Sequence, residues 1–303
     1  MPEYVRRRIE ERLGSVVVGA RSQSGGFSPG VACRLLLENG ERVFVKAVCS
    51  SPSPDSPPLH RREASIAAAL PAEVPTPRLR WSLDDGEWVV LAFDDVDGHT
   101  PELPWRADEL ERVLTAVHAL AEALTPSPVD AVPVAETLPN FGSWGRRMAA
   151  GAADAPRPPA ALRARVEQLA EIESGWAEAV AGDALLHMDL RADNLLLTAE
   201  RVFVVDWPWA SVGAPWVDLA AMLPSVAMQG GPDPDDVWRA HPVSRGVDDD
   251  RLDAFVAALA GMFVYLSSLP PAPGLPTLRP FQAAQGEQAL RWIARRRGWN
   301  DLA

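Results

Sequence analysis

The sequence predicts an α+β protein of two lobes, a small antiparallel sheet followed by a larger, mostly helical part. Three observations carry this reading. Two hairpin signals, Asn39-Gly40 and Asp85-Gly86, fall between β-rich segments near the start of the chain. A helical period then opens at Ala107. A single island of β pattern, Ala184 to Asp206, interrupts the helical remainder. With 303 residues the chain is long enough for two packed lobes.

In chain order, Val16 to Ala20 and Ala32 to Leu37 are short strand candidates, joined by a Gly-rich turn. Asn39-Gly40 leads into the β-rich segment Arg42 to Val48. A Pro/Ser-rich loop, Ser50 to Pro58, precedes a helix over Leu59 to Leu70, which Pro71 ends. Trp81 to Leu83 and Glu87 to Phe93 flank the second hairpin signal, and Asp94 to Pro104 is polar and turn-rich, a linker. Ala107 to Leu124 places Leu110, Val113, Leu114, Val117, Leu120 and Leu124 on one helical stripe. Phe255 to Leu266 is the longest apolar stretch and reads as a buried helix.

Composition removes several classes of function. The net charge is −12, the wrong sign for a protein whose main partner is nucleic acid. It is compatible with a cationic substrate without requiring one. No apolar run reaches membrane-spanning length, and the Arg-rich start, Arg6 to Arg8, lacks the apolar core of a signal peptide. Two cysteines, Cys33 and Cys49, are too few for a disulfide framework, so cytoplasmic residence is the default expectation. The oligomeric state is left open. Of the 29 basic residues only Lys46 is a lysine. A lone lysine in an arginine-rich chain fits a position that needs a compact charge where a planar fork would not serve.

The β island reads His187-Met188-Asp189-Leu190-Arg191-Ala192-Asp193-Asn194, an apolar run to Leu197, a polar turn, then Val202 to Asp206. A turn centred on Glu200 sets Leu195 opposite Val205 and Asn194 opposite Asp206. Facing residues of an antiparallel pair lie about 4.5–5.5 Å apart. An amide oxygen and a carboxylate then converge at one end of the hairpin, a donor set suited to Mg²⁺. Asp189 lies on the loop that leads there.

His187-x-Asp189-x-x-x-x-Asn194 followed by Asp206 resembles the catalytic signature of aminoglycoside phosphotransferases and related small-molecule kinases, whose fold is that of protein kinases. Gly213-x-Pro215-Trp216-x-Asp218-Leu219-Ala220 extends the likeness, as does the strand Val43-Phe44-Val45-Lys46 with Glu63 on the next helix. The resemblance implies a protein-kinase-like fold with residues 1–98 as the nucleotide-binding lobe and hinge. Residues 99–303 would carry the catalytic loop, metal site and acceptor-binding helices. It implies Asp189 as the base that accepts the acceptor's proton, Asn194 and Asp206 as Mg²⁺ ligands, and Lys46, steadied by Glu63, on the α/β-phosphates of ATP, with GTP an open alternative. His187 braces the catalytic loop. Asp94 to Gly98 would be the hinge.

Ser24, Gly25, Gly26 and Phe27 occupy the place of a nucleotide-covering loop, where their backbone amides can cradle phosphate, although the segment is neither Gly-x-Gly-x-x-Gly nor a Walker A sequence. The implied acceptor is a small molecule bearing a hydroxyl, an antibiotic or a metabolite. A catalytically silent nucleotide-binding module acting through partners is the alternative, disfavoured because Lys46, Glu63, Asp189, Asn194 and Asp206 are all present. Trp207-Pro208 after Asp206 and the lack of a downstream Ala-Pro-Glu argue against a regulated protein kinase. Asp218 reads as a helix N-cap, His118 as a packed structural histidine, and Trp207, Trp209 and Trp216 as core. The acids between Asp233 and Asp253 read as a solvated acidic loop and helix starts in preference to a cation-binding surface.

Overall fold

The computed structural model describes residues 1–23, 30–51, 53–150, 160–272 and 275–300. The chain forms two compact units. The first comprises Met1–Thr100 with Asp193–Trp209 and Pro273–Leu275, and the second holds the remainder.

The first unit opens with α1 (Glu3–Leu13), whose Val5 and Ile9 are buried one turn apart. Gly14 ends the helix with φ 64°, a left-handed conformation that a residue without a Cβ adopts at no steric cost. Strands β1 (Val17–Ser22), β2 (Val31–Leu37), β3 (Arg42–Cys49), β4 (Leu79–Asp84) and β5 (Trp88–Asp94) form one antiparallel sheet in the order β1-β2-β3-β5-β4. Helix α2 (Ser56–Ala69) lies between β3 and β4 in sequence and starts three residues before the expected Leu59. Pro57 and Pro58 fall in its first turn, where a missing N–H forfeits no helical bond.

Alternation along β3 decides which residue meets which layer. Val43, Val45 and Ala47 pack with Val5 and Ile9 of α1 on one face. Phe44 and Val48 pack on the other with Ala64 and Ala67 of α2, and Lys46 lies between them in sequence on that α2 side. Burial of β5 on both faces matches its near-continuous apolar sequence.

The hairpin of β7 (Leu195–Leu197) and β8 (Val202–Val204) belongs to the first unit; β6 (Ala184–Leu186) precedes it in the chain and pairs with β9 (Ser211–Gly213) in the second. Gly98 runs so close to the β7 end that an added Cβ would stand 2.9 Å from the Leu197 carbonyl oxygen, which accepts a bond from the His99 N–H at 3.1 Å.

The second unit is mostly helical. Its principal helices are α3 (Ala107–Ala123), α4 (Val134–Thr137), α5 (Ser143–Ala150), α6 (Ala160–Arg163), α7 (Val166–Glu173), α8 (Trp176–Ala179), α9 (Val217–Met228), α10 (Pro234–Ala240), α11 (Asp249–Ser267) and α12 (Leu278–Arg296). Residues Leu252 to Gly261 of α11 are buried all round, so this is the helix that the apolar stretch predicted, extended at both ends. No helix among the described residues is long and apolar enough to cross a membrane.

Candidate active site

In the first unit, Lys46 is held between two carboxylates. Its Nζ donates to Glu63 Oε1 at 2.7 Å and to Asp206 Oδ1 at 2.9 Å. Glu63 reaches it because both residues lie in the layer between β3 and α2. Burial alone would push the Lys46 ammonium down, but Asp206 and Glu63 outweigh it and hold the charge firmly in place. Burial raises the Glu63 carboxyl, against the pull of Lys46 and a bond from the Trp207 backbone N–H.

His60, one turn before Glu63, gave no sequence signal beyond its spacing. It is buried, its Nδ1 stands 3.1 Å from the Ser56 carbonyl, and burial beside the Lys46 charge lowers it to about 4, so it is neutral at pH 7.

The hairpin register differs by one residue from the expected one. Leu195 pairs with Val204 and Leu197 with Val202, and the Val205 N–H donates to the Asn194 carbonyl at 3.0 Å. Asn194 therefore faces Val205, and Asp206 lies one residue further along. The cause is Thr198. Its Oγ1 accepts from the backbone of Arg201 at 3.1 Å and Glu200 at 3.3 Å, which closes a turn with Ala199 and Glu200 at its tip, so the turn is not centred on Glu200. Asn194 and Asp206 remain at the open end of the hairpin. Asp206 has φ 72°, the left-handed region that a non-glycine residue enters at a cost on the order of 1 kcal/mol.

Among the described residues, no group of three or more His, Cys, Asp or Glu side chains is placed to hold a metal. One carboxylate and one amide oxygen still fit a hard cation whose other ligands are phosphate oxygens and water. The side chain of Asp206 is 37% exposed, so it remains reachable. Ser24, Gly25, Gly26 and Phe27 lie outside the described residues.

In the second unit, the loop after β6 carries His187, Asp189 and Arg191. The Asp189 N–H donates to His187 Nδ1 at 3.2 Å, which leaves the imidazole proton on Nε2. Asp189 is paired with Arg191, whose guanidinium stands 5.4 Å from the centre of the Phe281 ring. Asp218 is not an N-cap; that position of α9 is Trp216. Buried, Asp218 accepts instead from the His187 N–H at 2.7 Å and the Met188 N–H at 2.8 Å, one bond to each oxygen. These two bonds pin Met188 in its left-handed conformation, φ 64°. Burial raises the Asp218 carboxyl to about 6.

The acidic segment is largely a set of ties to α12. Arg296 is 6% exposed and bonds Asp253 at 2.5 Å, Asp249 at 2.7 Å and Asp235 at 2.9 Å. Arg297 meets Asp253 at 3.0 Å, and Arg295 pairs with Asp233. The expected helix starts are found, with Asp233 capping α10 and Asp249 and Asp250 in the first turn of α11. The expected solvated loop is instead an ion network that fastens α10 and α11 to α12, invisible in sequence because the arginines come more than forty residues later. Trp207 and Trp216 are core, whereas Trp209 is 38% exposed. His118 packs edge-on against His241, with ring centres 5.9 Å apart.

Comparison with known proteins agrees with this architecture. The profile of the phosphotransferase enzyme family matches residues 24–246. Among solved structures, a thermostable mutant of aminoglycoside phosphotransferase APH(4)-Ia, in ternary complex with AMP-PNP and hygromycin B, superposes with a TM-score of 0.65 at 16% identity, covering 96% of this chain and 98% of that one. The choline kinase LicA from Streptococcus pneumoniae gives 0.66 at 12% identity, covering 97% and 98%. The macrolide 2'-phosphotransferase MphH from Brachybacterium faecium gives 0.52 at 19% identity, covering 94% and 95%. No curated protein matches the sequence. The fold is therefore the two-lobed, protein-kinase-like one.

Proposed function

This chain belongs to the phosphotransferase enzyme family, and from that premise we propose that it transfers the terminal phosphoryl group of ATP or GTP to a hydroxyl of a small molecule. The observation that carries the reading is the buried Lys46, fixed by Glu63 and Asp206 on one face of the sheet. A lysine so tightly held contributes little to folding that an apolar residue would not, since buried ion pairs roughly break even. It does present one fixed cation to an anionic ligand.

In this reading Lys46 receives the α/β-phosphates, with Glu63 setting its position. The backbone of Ser24, Gly25, Gly26 and Phe27 covers the phosphates. Asn194 and Asp206 hold Mg²⁺, which when bound neutralises charge on the phosphate oxygens. Asp189 accepts the acceptor's proton as the new P–O bond forms, and Arg191 keeps its carboxylate oriented. Phosphoryl transfer asks little covalent chemistry of the protein, so alignment and charge neutralisation do most of the work. With nucleoside triphosphates as donors, the enzyme works in the cytoplasm.

Two structural neighbours are named as kinases of choline and of a macrolide, and a third was solved with hygromycin B. These names support a small hydroxylated acceptor, an antibiotic or a metabolite. Calorimetric titration with Mg²⁺ and nucleotide tests the donor half: binding needs the metal and is lost in Asp206→Ala, and metal-independent binding that survives the substitution contradicts the assignment. Growth of a sensitive host on a panel of antibiotics tests the acceptor. Protection by wild type but not by Asp189→Ala assigns an antibiotic, and no protection by any compound assigns a metabolite.

A further inference from the structure

The segment after β5 is clasped by an arginine from another strand. Arg34 of β2 donates through Nη2 to the carbonyl oxygens of Val96 at 2.8 Å and Gly98 at 3.3 Å. Its Nε stands 3.2 Å from Asp95 Oδ1, and Arg42 Nε stands 3.1 Å from the other oxygen. Asp95 is 2% exposed at its side chain, and neither oxygen has an aligned hydrogen bond among the described residues, where two guanidinium charges stand beside it. Nη2 is thereby engaged by hydrogen bonds to the segment and Nε by its charge contact with Asp95. The Nη1 group of Arg34 makes no hydrogen bond to the described residues, and the side chain is 22% exposed.

The sheet register locates this arginine relative to Lys46. Ala32 faces Lys46 and Arg34 faces Phe44 across β2 and β3, while Phe93 faces Phe44 from β5. Facing residues share one side of a sheet, so Arg34, Phe44 and Lys46 lie on the same side. Phe44 is two residues from Lys46, about 7 Å along the strand. Given the proposed function, in which Lys46 receives the phosphates, the base of the same nucleotide lies towards Phe44 and the segment Arg34 clasps.

Purines differ at their 6-position. Adenine carries an amino donor there and needs an acceptor, whereas guanine carries an oxo acceptor and needs a donor. The Val96 and Gly98 carbonyls already accept from Arg34, whose side chain still offers the two N–H groups of Nη1. Either N–H can donate to the O6 acceptor of guanine, where the 6-amino group of adenine would set donor against donor. We propose that Arg34 reads the base of the donor nucleotide and makes this chain a kinase that prefers a 6-oxopurine triphosphate, GTP, over ATP. The inference rests on the proposed phosphate role of Lys46 and adds to it the choice of donor.

The test is calorimetric titration of the full chain with Mg²⁺ and ATP, GTP or inosine triphosphate, the last sharing the 6-oxo group of GTP but lacking its 2-amino group. GTP and inosine triphosphate are expected to bind about tenfold or more tighter than ATP. Arg34→Lys keeps a charge beside Asp95 but cannot both clasp the segment and present a spare donor, and brings the ratio close to one. The wild-type ratio is read without any variant, so a poorly folding substitution does not void the test. ATP binding as tightly as GTP, or a ratio unmoved by Arg34→Lys, overturns the proposal while leaving the phosphotransferase reading intact. Failure of all three nucleotides to bind overturns that reading, and this inference with it.

Discussion

Glu173, at the end of α7, is the residue whose substitution gives the most specific expectation. Its Oε1 accepts the Gly145 N–H at 2.7 Å and so caps the start of α5 from another helix, while Oε2 is buried with no hydrogen-bond partner among the described residues. Burial raises the carboxyl from 4.5 to about 7. Between these values the folded chain keeps the proton and the unfolded chain has lost it, so stability falls as pH rises. The slope is about 1.4 kcal/mol per pH unit, which accumulates to about 3 kcal/mol by neutral pH. Above that the loss is constant, because both states are ionised.

Glu173→Gln keeps the accepting oxygen and cannot ionise. Its amide nitrogen takes the place of Oε2 with no acceptor, at a cost of about 1 kcal/mol. The variant is therefore expected to equal wild type near pH 5 and to exceed it by about 2 kcal/mol at pH 8. Urea unfolding at the two pH values measures this directly. A variant less stable than wild type at pH 8, or one whose difference from wild type is the same at both, refutes the argument.

Lys46→Arg is not conservative, because a planar fork cannot sit between Glu63 at 2.7 Å and Asp206 at 2.9 Å as a compact ammonium does. Nucleotide affinity should drop about tenfold or more, and full activity would remove the argument from the single lysine. Asp218→Ala orphans the His187 and Met188 N–H groups and should lower stability by at least about 2 kcal/mol. It should also abolish transfer while nucleotide binding persists, and unchanged turnover would show that Met188 needs no such support. Gly261→Ala places a Cβ 2.8 Å from Trp144 Nε1, which donates to the Ala257 carbonyl at 2.8 Å. Crowding and the strained bond exceed the gain in helix propensity, so a net loss of about 2 kcal/mol is expected in thermal unfolding.

Legibility in the sequence followed the range of the interaction. The strand that carries Lys46 and the helix that carries Glu63 were legible because their signals are local, while the pairing of the two residues came from the family resemblance. The hairpin was recognisable but its register was not. Leu195 to Leu197 and Val202 to Val205 are apolar at every position, so no alternation fixes the pairing. A single hydroxyl, that of Thr198, sets it instead. Asp218 looked like a cap because Asp commonly caps helices, and its real partners lie some thirty residues upstream. The acids of α10 and α11 looked solvated for the same reason, their arginines being distant in the chain. Arg34 gave no signal at all, since its partners become neighbours only when β2 and β5 flank β3 in one sheet.

Incubation of the protein with Mg²⁺, ATP or GTP and a panel of hydroxylated antibiotics and metabolites, read by mass spectrometry, decides whether the chain is a phosphotransferase. At least one compound is expected to gain a single phosphoryl group, only with metal present and only with Asp189 intact. Transfer by Asp189→Ala at the wild-type rate, or no transfer to any compound by a chain that binds nucleotide, contradicts that assignment.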